Sequence, residues 1–161
     1  MRKIETKNLT TWRTAKKTKN LRAKPLISIM VDKSITNKFL VDTLEGKEPL
    51  GDGVVICIGD SNDAWQQMPK KLLQKYDVVE IDDDGWMVCE PKPDNSVNFI
   101  QIAFENPEEE FYIIGQWGEE TEEGPIQRGK SGDYVCQNRE DPTDVWIVQR
   151  KIFNNTYNII N

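Results

Sequence analysis

The chain has 161 residues, 37% hydrophobic and 30% charged, which fits a globular protein and excludes an intrinsically disordered one. It contains no histidine, which excludes Ser-His-Asp and Cys-His catalysis and the commonest nitrogen ligand of zinc. The net charge of −6 hides a division: residues 1–24 carry nine Lys and Arg against Glu5, a net +8, and the remaining 137 residues carry twelve basic and twenty-six acidic side chains, a net −14.

In chain order, residues 1–22 have no sustained apolar period and read as a basic arm, extended or mobile. Pro25 opens the apolar run 26–31, which suits a buried strand, and residues 36–44 are ambiguous between a short helix and a strand. Gly46, Pro49, Gly51 and Gly53 break the chain before the strand 54–58, and Pro69 fits the first turn of a short helix over 69–76. The Asp84-Gly85 turn links apolar runs 78–81 and 86–89 as a hairpin. Residues 97–105 then alternate with period two, Asn106-Pro107 turns the chain into a strand over 110–117, and strands over 134–136 and 145–148 precede the closing segment. The fold class is therefore mainly β, a β-rich α+β arrangement of about eight strands with one or two short helices.

With a constant offset of 81, residues 51–78 lie over 132–159 with eight of 28 positions identical, among them Gly51 with Gly132, Asp60 with Asp141, Asp63 with Asp144, Trp65 with Trp146 and Tyr76 with Tyr157. Average residue usage gives roughly two matches by chance. Two repeated β units sharing one core are the expected architecture, divided as a basic N-terminal arm (1–22), a first repeat (23–80), a connecting hairpin (81–104) and a second repeat (105–161). Most repeated residues read as turn formers and core anchors, with the Gly-Asp carboxylates accepting backbone N–H bonds.

Chemistry is sparsely signalled. The Asp60/Asp63 and Asp141/Asp144 pairs lack the spacing of a calcium loop, and Cys57, Cys89 and Cys136 lack any CxxC, so no metal, cofactor or catalytic residue is assigned and the cysteines read as small core residues. No apolar run is long enough to span a bilayer and the N-terminal residues lack a signal-peptide core, so the expected location is the cytoplasm, without a membrane partner.

The stretch from Gly124 to Tyr157 resembles the C-terminal signature of a phage and prophage family named after a Pro-Gly-Asp-Tyr-Gly motif. Gly132-Asp133-Tyr134, Ile152-Phe153 and Thr156-Tyr157 match, while Ser131 and Val135 replace the outer Pro and Gly of the name motif. Arg22-Ala23-Lys24-Pro25 and Thr43-Leu44-Glu45-Gly46 are similar to the family's opening and its central turn. The resemblance implies a viral accessory protein in the host cytoplasm and carries no established activity.

The expected function is a noncatalytic binding module that engages a protein partner through an acidic surface made of Glu108, Glu109, Glu110, Glu119, Glu120, Glu122 and Glu123. One alternative is nucleic-acid or nucleotide recognition through the arm, with Lys16, Lys17, Lys19 and Arg22 as contacts, although the arm could equally lie across the acidic face of its own domain. The other is a carboxylate-based or metal-dependent enzyme acting on nucleotides. Exposed strand edges make a homodimer possible.

Overall fold

The computed structural model describes residues 1–27 and 40–160. In chain order the elements are β1 (Arg2–Lys3), a 3-10 turn (Thr6–Asn8), β2 (Arg13–Lys17), β3 (Leu21–Pro25), β4 (Leu40–Thr43), β5 (Gly46–Pro49), β6 (Val55–Ile58), β7 (Ala64–Gln67), α1 (Pro69–Lys75), β8 (Tyr76–Ile81), β9 (Met87–Pro91), β10 (Ser96–Gln101), β11 (Glu110–Thr121), β12 (Gly124–Lys130), β13 (Tyr134–Gln137), β14 (Val145–Val148), α2 (Arg150–Thr156) and β15 (Tyr157–Ile159). The protein is mainly β with short helices, as its turn-punctuated apolar runs require. The expected strand over 26–31 is not formed at Leu26 and Ile27, which are helical, and its remainder lies outside the described residues. The ambiguous 36–44 segment is a strand from Leu40 onward, and its earlier part also lies outside the described residues.

Two antiparallel five-stranded sheets organise the molecule, one in the order β7-β6-β3-β9-β8 and the other in the order β14-β13-β10-β2-β15. They correspond strand for strand. In each, a hairpin leads to an edge strand, a seven-residue helix follows, and the helix closes directly into the opposite edge strand through an extended tyrosine, Tyr76 or Tyr157. The correspondence includes a reciprocal exchange. The chain runs from β2 into β3 and from β9 into β10, yet β2 lies in the sheet of β10 and β9 lies in the sheet of β3. The first sheet is built within residues 21–91, whereas the second is completed only by β2, which precedes every strand of the first.

That exchange redraws the boundaries expected from sequence. Residues 1–22 are not a separate arm, because β2 is an interior strand of the second sheet, paired to β10 on one side and β15 on the other. Residues 81–104 are not a connector, because they supply β9 and β10, interior strands of opposite sheets. Low apolar content concealed β2 and β3: in the sequences RTAKK and LRAKP only Ala15, Leu21 and Ala23 are buried. The offset of 81 is kept from Asp60 to Tyr76, where Trp65 and Trp146 each face a cysteine across the hairpin. Upstream it is two residues out of step, since those facing cysteines are Cys57 and Cys136, and Gly53, not Gly51, stands at the positive-φ position of Gly132. The cause is local: the loop 138–144 is two residues longer than the loop 59–63.

The hairpins β4–β5 and β11–β12 also correspond. Thr43 and Thr121 sit opposite Gly46 and Gly124, each threonine hydroxyl donates to the glycine carbonyl at 2.6 and 2.8 Å, and each accepts the N–H two residues on, from Glu45 and Glu123. The glycines take φ values of 134° and 121°, a region that a Cβ opposes.

Three apolar clusters hold these layers. Leu21, Ala23, Val55, Cys57, Leu72, Tyr76 and Cys89 pack α1 onto the first sheet. Ala15, Val97, Phe99, Tyr134, Cys136, Val148, Phe153 and Tyr157 pack α2 onto the second. Ile102, Phe111, Ile113, Val135, Val145 and Ile147 pack β11 onto the second sheet's other face. The three cysteines are buried free thiols, and burial pushes the Cys57 thiol up to about 12, so it stays an unreactive core group at neutral pH. No described helix is long and apolar enough to cross a membrane.

Candidate functional site

A cavity of about 210 Å³ opens between the two sheets. The edge strand of each sheet contributes its tryptophan, Trp65 from β7 and Trp146 from β14, and each helix-to-strand junction contributes its tyrosine, Tyr76 or Tyr157. A third indole arrives by a different route. The pairing of β11 with β12 slips between Ile114 and Glu119, and this bulge turns Gln116 and Trp117 into the cleft. The Gln127 amide donates to the Trp117 carbonyl at 2.8 Å and its oxygen accepts the Ile147 N–H at 2.8 Å, so the bulge is tied to β14.

Polar groups around the cleft fall into two kinds. Most are already committed. Lys71 on α1 donates to Asp144 at 2.8 Å and to Gln116 at 2.6 Å, bridging the two units, and the Asn138 amide supplies a second donor to Asp144 at 3.3 Å. Gln66 holds the loop before β6 through the Gly51 N–H and the Pro49 carbonyl, and Asn95 donates to the Lys75 carbonyl.

Lys17 and Asp63 are the exception. The Lys17 ammonium lies 4.8 Å from the Tyr157 ring centroid and 5.5 Å from that of Trp65, and no carboxylate or carbonyl accepts from it among the described residues. It keeps partial access to solvent through the cleft, while the surrounding protein removes its hydration and holds its pKa below the usual lysine value; Asp63 is the leading opposing influence. The Asp63 carboxylate receives no hydrogen bond among the described residues, although its backbone closes the turn before β7. The cleft thus presents one donor-only and one acceptor-only side chain beside an indole. Burial also raises the Tyr157 phenol well above its ordinary value, so it faces this site as a neutral group at physiological pH.

The sequence had grouped Lys17 with Lys16, Lys19 and Arg22, and the structure separates them. Lys16 projects from the opposite face of β2, Lys19 is exposed in the turn after it, and the exposed Arg22 guanidinium lies 5.8 Å from the Trp86 ring on the first sheet. The acidic residues form a different surface, the β11–β12 hairpin and its approach, and the chain's own N-terminus covers part of it. β1 pairs in parallel with β11, placing Arg2 2.7 Å from Glu109 and Lys3 3.0 Å from Glu123, while Glu119 meets Arg128 at 3.2 Å and Glu108 meets Lys130 at 3.5 Å. Glu123 is held below its usual range by Lys3 and then by the Tyr112 hydroxyl. Glu110, Glu120 and Glu122 are exposed and have no basic partner among the described residues.

The other sequence candidates have structural occupations. Asp141 accepts from the Thr143 N–H and hydroxyl, Asp133 accepts the N–H of Lys130 and of Arg150 at the start of α2, and Asp82 closes its hairpin through the N–H groups of Asp84 and Trp86. No cluster of three or more potential metal-ligating side chains occurs among the described residues. Comparison of the chain with protein-family models, with curated proteins and with solved structures finds no match.

Proposed function

We propose that the protein is a noncatalytic binding module whose principal site is the cleft between the sheets, and that it takes a small planar ligand carrying an acceptor or anionic group. The observation that carries this reading is Lys17, an ammonium in a poorly hydrated aromatic cleft without an acceptor among the described residues. Such a donor is stabilised when a ligand supplies the missing acceptor, and indoles on the walls suit a flat ring. Binding rather than catalysis is favoured because Asp144 is already neutralised by Lys71 and the repeated carboxylates close turns. The phage or prophage setting implied by the C-terminal resemblance, and with it a host cytoplasm, belongs to the same proposal.

The test is saturable quenching of tryptophan fluorescence by planar anions, with phenylphosphate, anthranilate and nucleoside monophosphates as probes. At least one probe is expected to saturate, and Lys17→Met is expected to weaken it about tenfold, the worth of one charge-assisted hydrogen bond. No saturation by any of them at millimolar concentration, or equal affinity in the variant, overturns the reading.

A protein partner for the acidic hairpin is the second reading, favoured by the exposed carboxylates of Glu110, Glu120 and Glu122, which have no basic partner among the described residues. A nucleic-acid site on the former arm has less support, since its lysines and arginine diverge and only Lys17 enters a cleft.

A further inference from the structure

We infer that the cleft recognises a guanine base, the edge of the ring lying between Lys17 and Asp63 and its face against Trp65. This deepens the cleft-binding reading and rests on it. An ammonium only donates and an ionised carboxylate only accepts, so a ligand that satisfies both must present an acceptor to one and a donor to the other. Lys17 and Asp63 meet that description: both line the cleft, neither side chain has a hydrogen-bond partner among the described residues, and Asp63 is the leading charge acting on Lys17. Trp65 on β7 follows Asp63 in the preceding turn by two residues and lies beside the Lys17 ammonium, so the stacking surface adjoins both polar groups.

Among the common bases, guanine offers the fullest match. Its N1–H and N2 amine stand side by side and fit one carboxylate, while O6 and N7 form the acceptor pair that a lysine or arginine reads. Adenine offers the carboxylate a single amine and the ammonium only ring nitrogens. Cytosine and uracil lack the second donor beside the first. Hypoxanthine keeps the carbonyl and N1–H but lacks the N2 amine, which makes it the diagnostic comparison. Stacking on an indole adds affinity without choosing among bases. The cavity, at about 210 Å³, holds a base and leaves a sugar and phosphate toward its open side. A free nucleoside or nucleotide is therefore the ligand, in preference to a base within a strand.

The experiment is calorimetric titration of the full chain with guanosine and with the monophosphates of guanosine, inosine, adenosine, cytidine and uridine. GMP is expected to bind about tenfold more tightly than AMP, and IMP to fall between them. Asp63→Asn is expected to weaken GMP about tenfold and to remove the advantage of GMP over IMP, whereas Lys17→Met is expected to weaken both equally. Lys19→Ala, outside the cleft, is the control and is expected to bind as the unaltered chain does. If Lys17→Met does not fold, as judged by circular dichroism, Asp63→Asn in its surface turn still decides the question. Equal affinity for all five nucleotides, or a GMP preference untouched by Asp63→Asn, overturns the guanine assignment. Lys17-dependent binding of phenylphosphate or anthranilate with no nucleotide binding also overturns it, and leaves the cleft-binding reading standing. A guanine-containing oligonucleotide that binds at least tenfold more tightly than GMP overturns the free-nucleotide assignment.

Discussion

The two sheets share an order of strands but differ in how heavily they are packed. At equivalent register positions the first sheet has Ala23, Val55 and Leu72 where the second has Phe99, Tyr134 and Phe153. In the second, Phe153 stacks on Tyr134 at 3.9 Å and on Tyr157 at 4.8 Å, with Phe99 tilted against it at 4.9 Å. The second sheet is covered on both faces, by α2 and by β11, whereas the face of the first away from α1 carries the exposed Arg22 and the half-buried Lys24, whose ammonium lies beside Trp86. One backbone plan thus accommodates an aromatic core and a small aliphatic one. The difference assigns stability to the second unit, and leaves the first to supply Asp63 and Trp65 to the cleft.

The sharpest break of this comparison is a pair of truncations. Phe153→Ala, at a fully buried ring with three aromatic neighbours, is expected to cost about 3–5 kcal/mol in denaturant unfolding, and Leu72→Ala about 2–5 kcal/mol and less than its counterpart. A larger loss at Leu72 would reverse the assignment of stability. Because the second sheet is completed by β2, which lies before every strand of the first sheet in the chain, both variants are expected to unfold in one transition. Separate transitions for the two sheets would contradict the coupling that the exchange imposes.

A smaller effect tests the seam between units. Lys71→Met removes the cross-unit pair with Asp144, whose side chain is only 15% exposed. The expected cost is about 1–2 kcal/mol, discounted for the partly exposed lysine, because among the described residues the Asp144 carboxylate then keeps only the Asn138 amide. No change in unfolding free energy would make the bridge dispensable.

The finest effect is one of pH and concerns a position where the units differ, Lys17 on β2 against Pro91 on β9. With its pKa lowered by burial, folded Lys17 releases its proton before the unfolded chain does. The unfolded state then binds more protons between the two values, so this group's destabilisation is fully present below the folded pKa and is relieved as pH rises toward the unfolded lysine value of about 10.4. The stability of Lys17→Met relative to the unaltered chain is expected to shrink as pH rises toward the unfolded lysine value. A difference that stays flat or grows would show that Lys17 is stabilised in the cleft without ligand.

Much of the local structure is legible in the sequence. The Asp84-Gly85 turn forms the expected hairpin, with Gly85 at φ 83° and the Asp82 carboxylate accepting two N–H groups, and Pro69 opens α1. These features depend on backbone preferences and hydrogen bonds within a few residues, which the sequence carries directly. The matched tryptophans and tyrosines were legible for the same reason, since each closes a hairpin or helix of its own unit. What the sequence did not reveal was where β2 pairs. Its residues are ordinary for exposed chain, and only β10 and β15 on either side make it an interior strand. The cleft follows from that long-range pairing. Lys17 reads as one cation in a basic stretch and Asp63 as one acid in a turn, until β2 is built into the second sheet and brings them to one cavity. The sequence by itself determined the turns, the short helices and the apolar anchors, because their energetics are local. The tertiary structure decided which strands exchange and which charges are left without partners, because those depend on contacts between residues far apart in the chain.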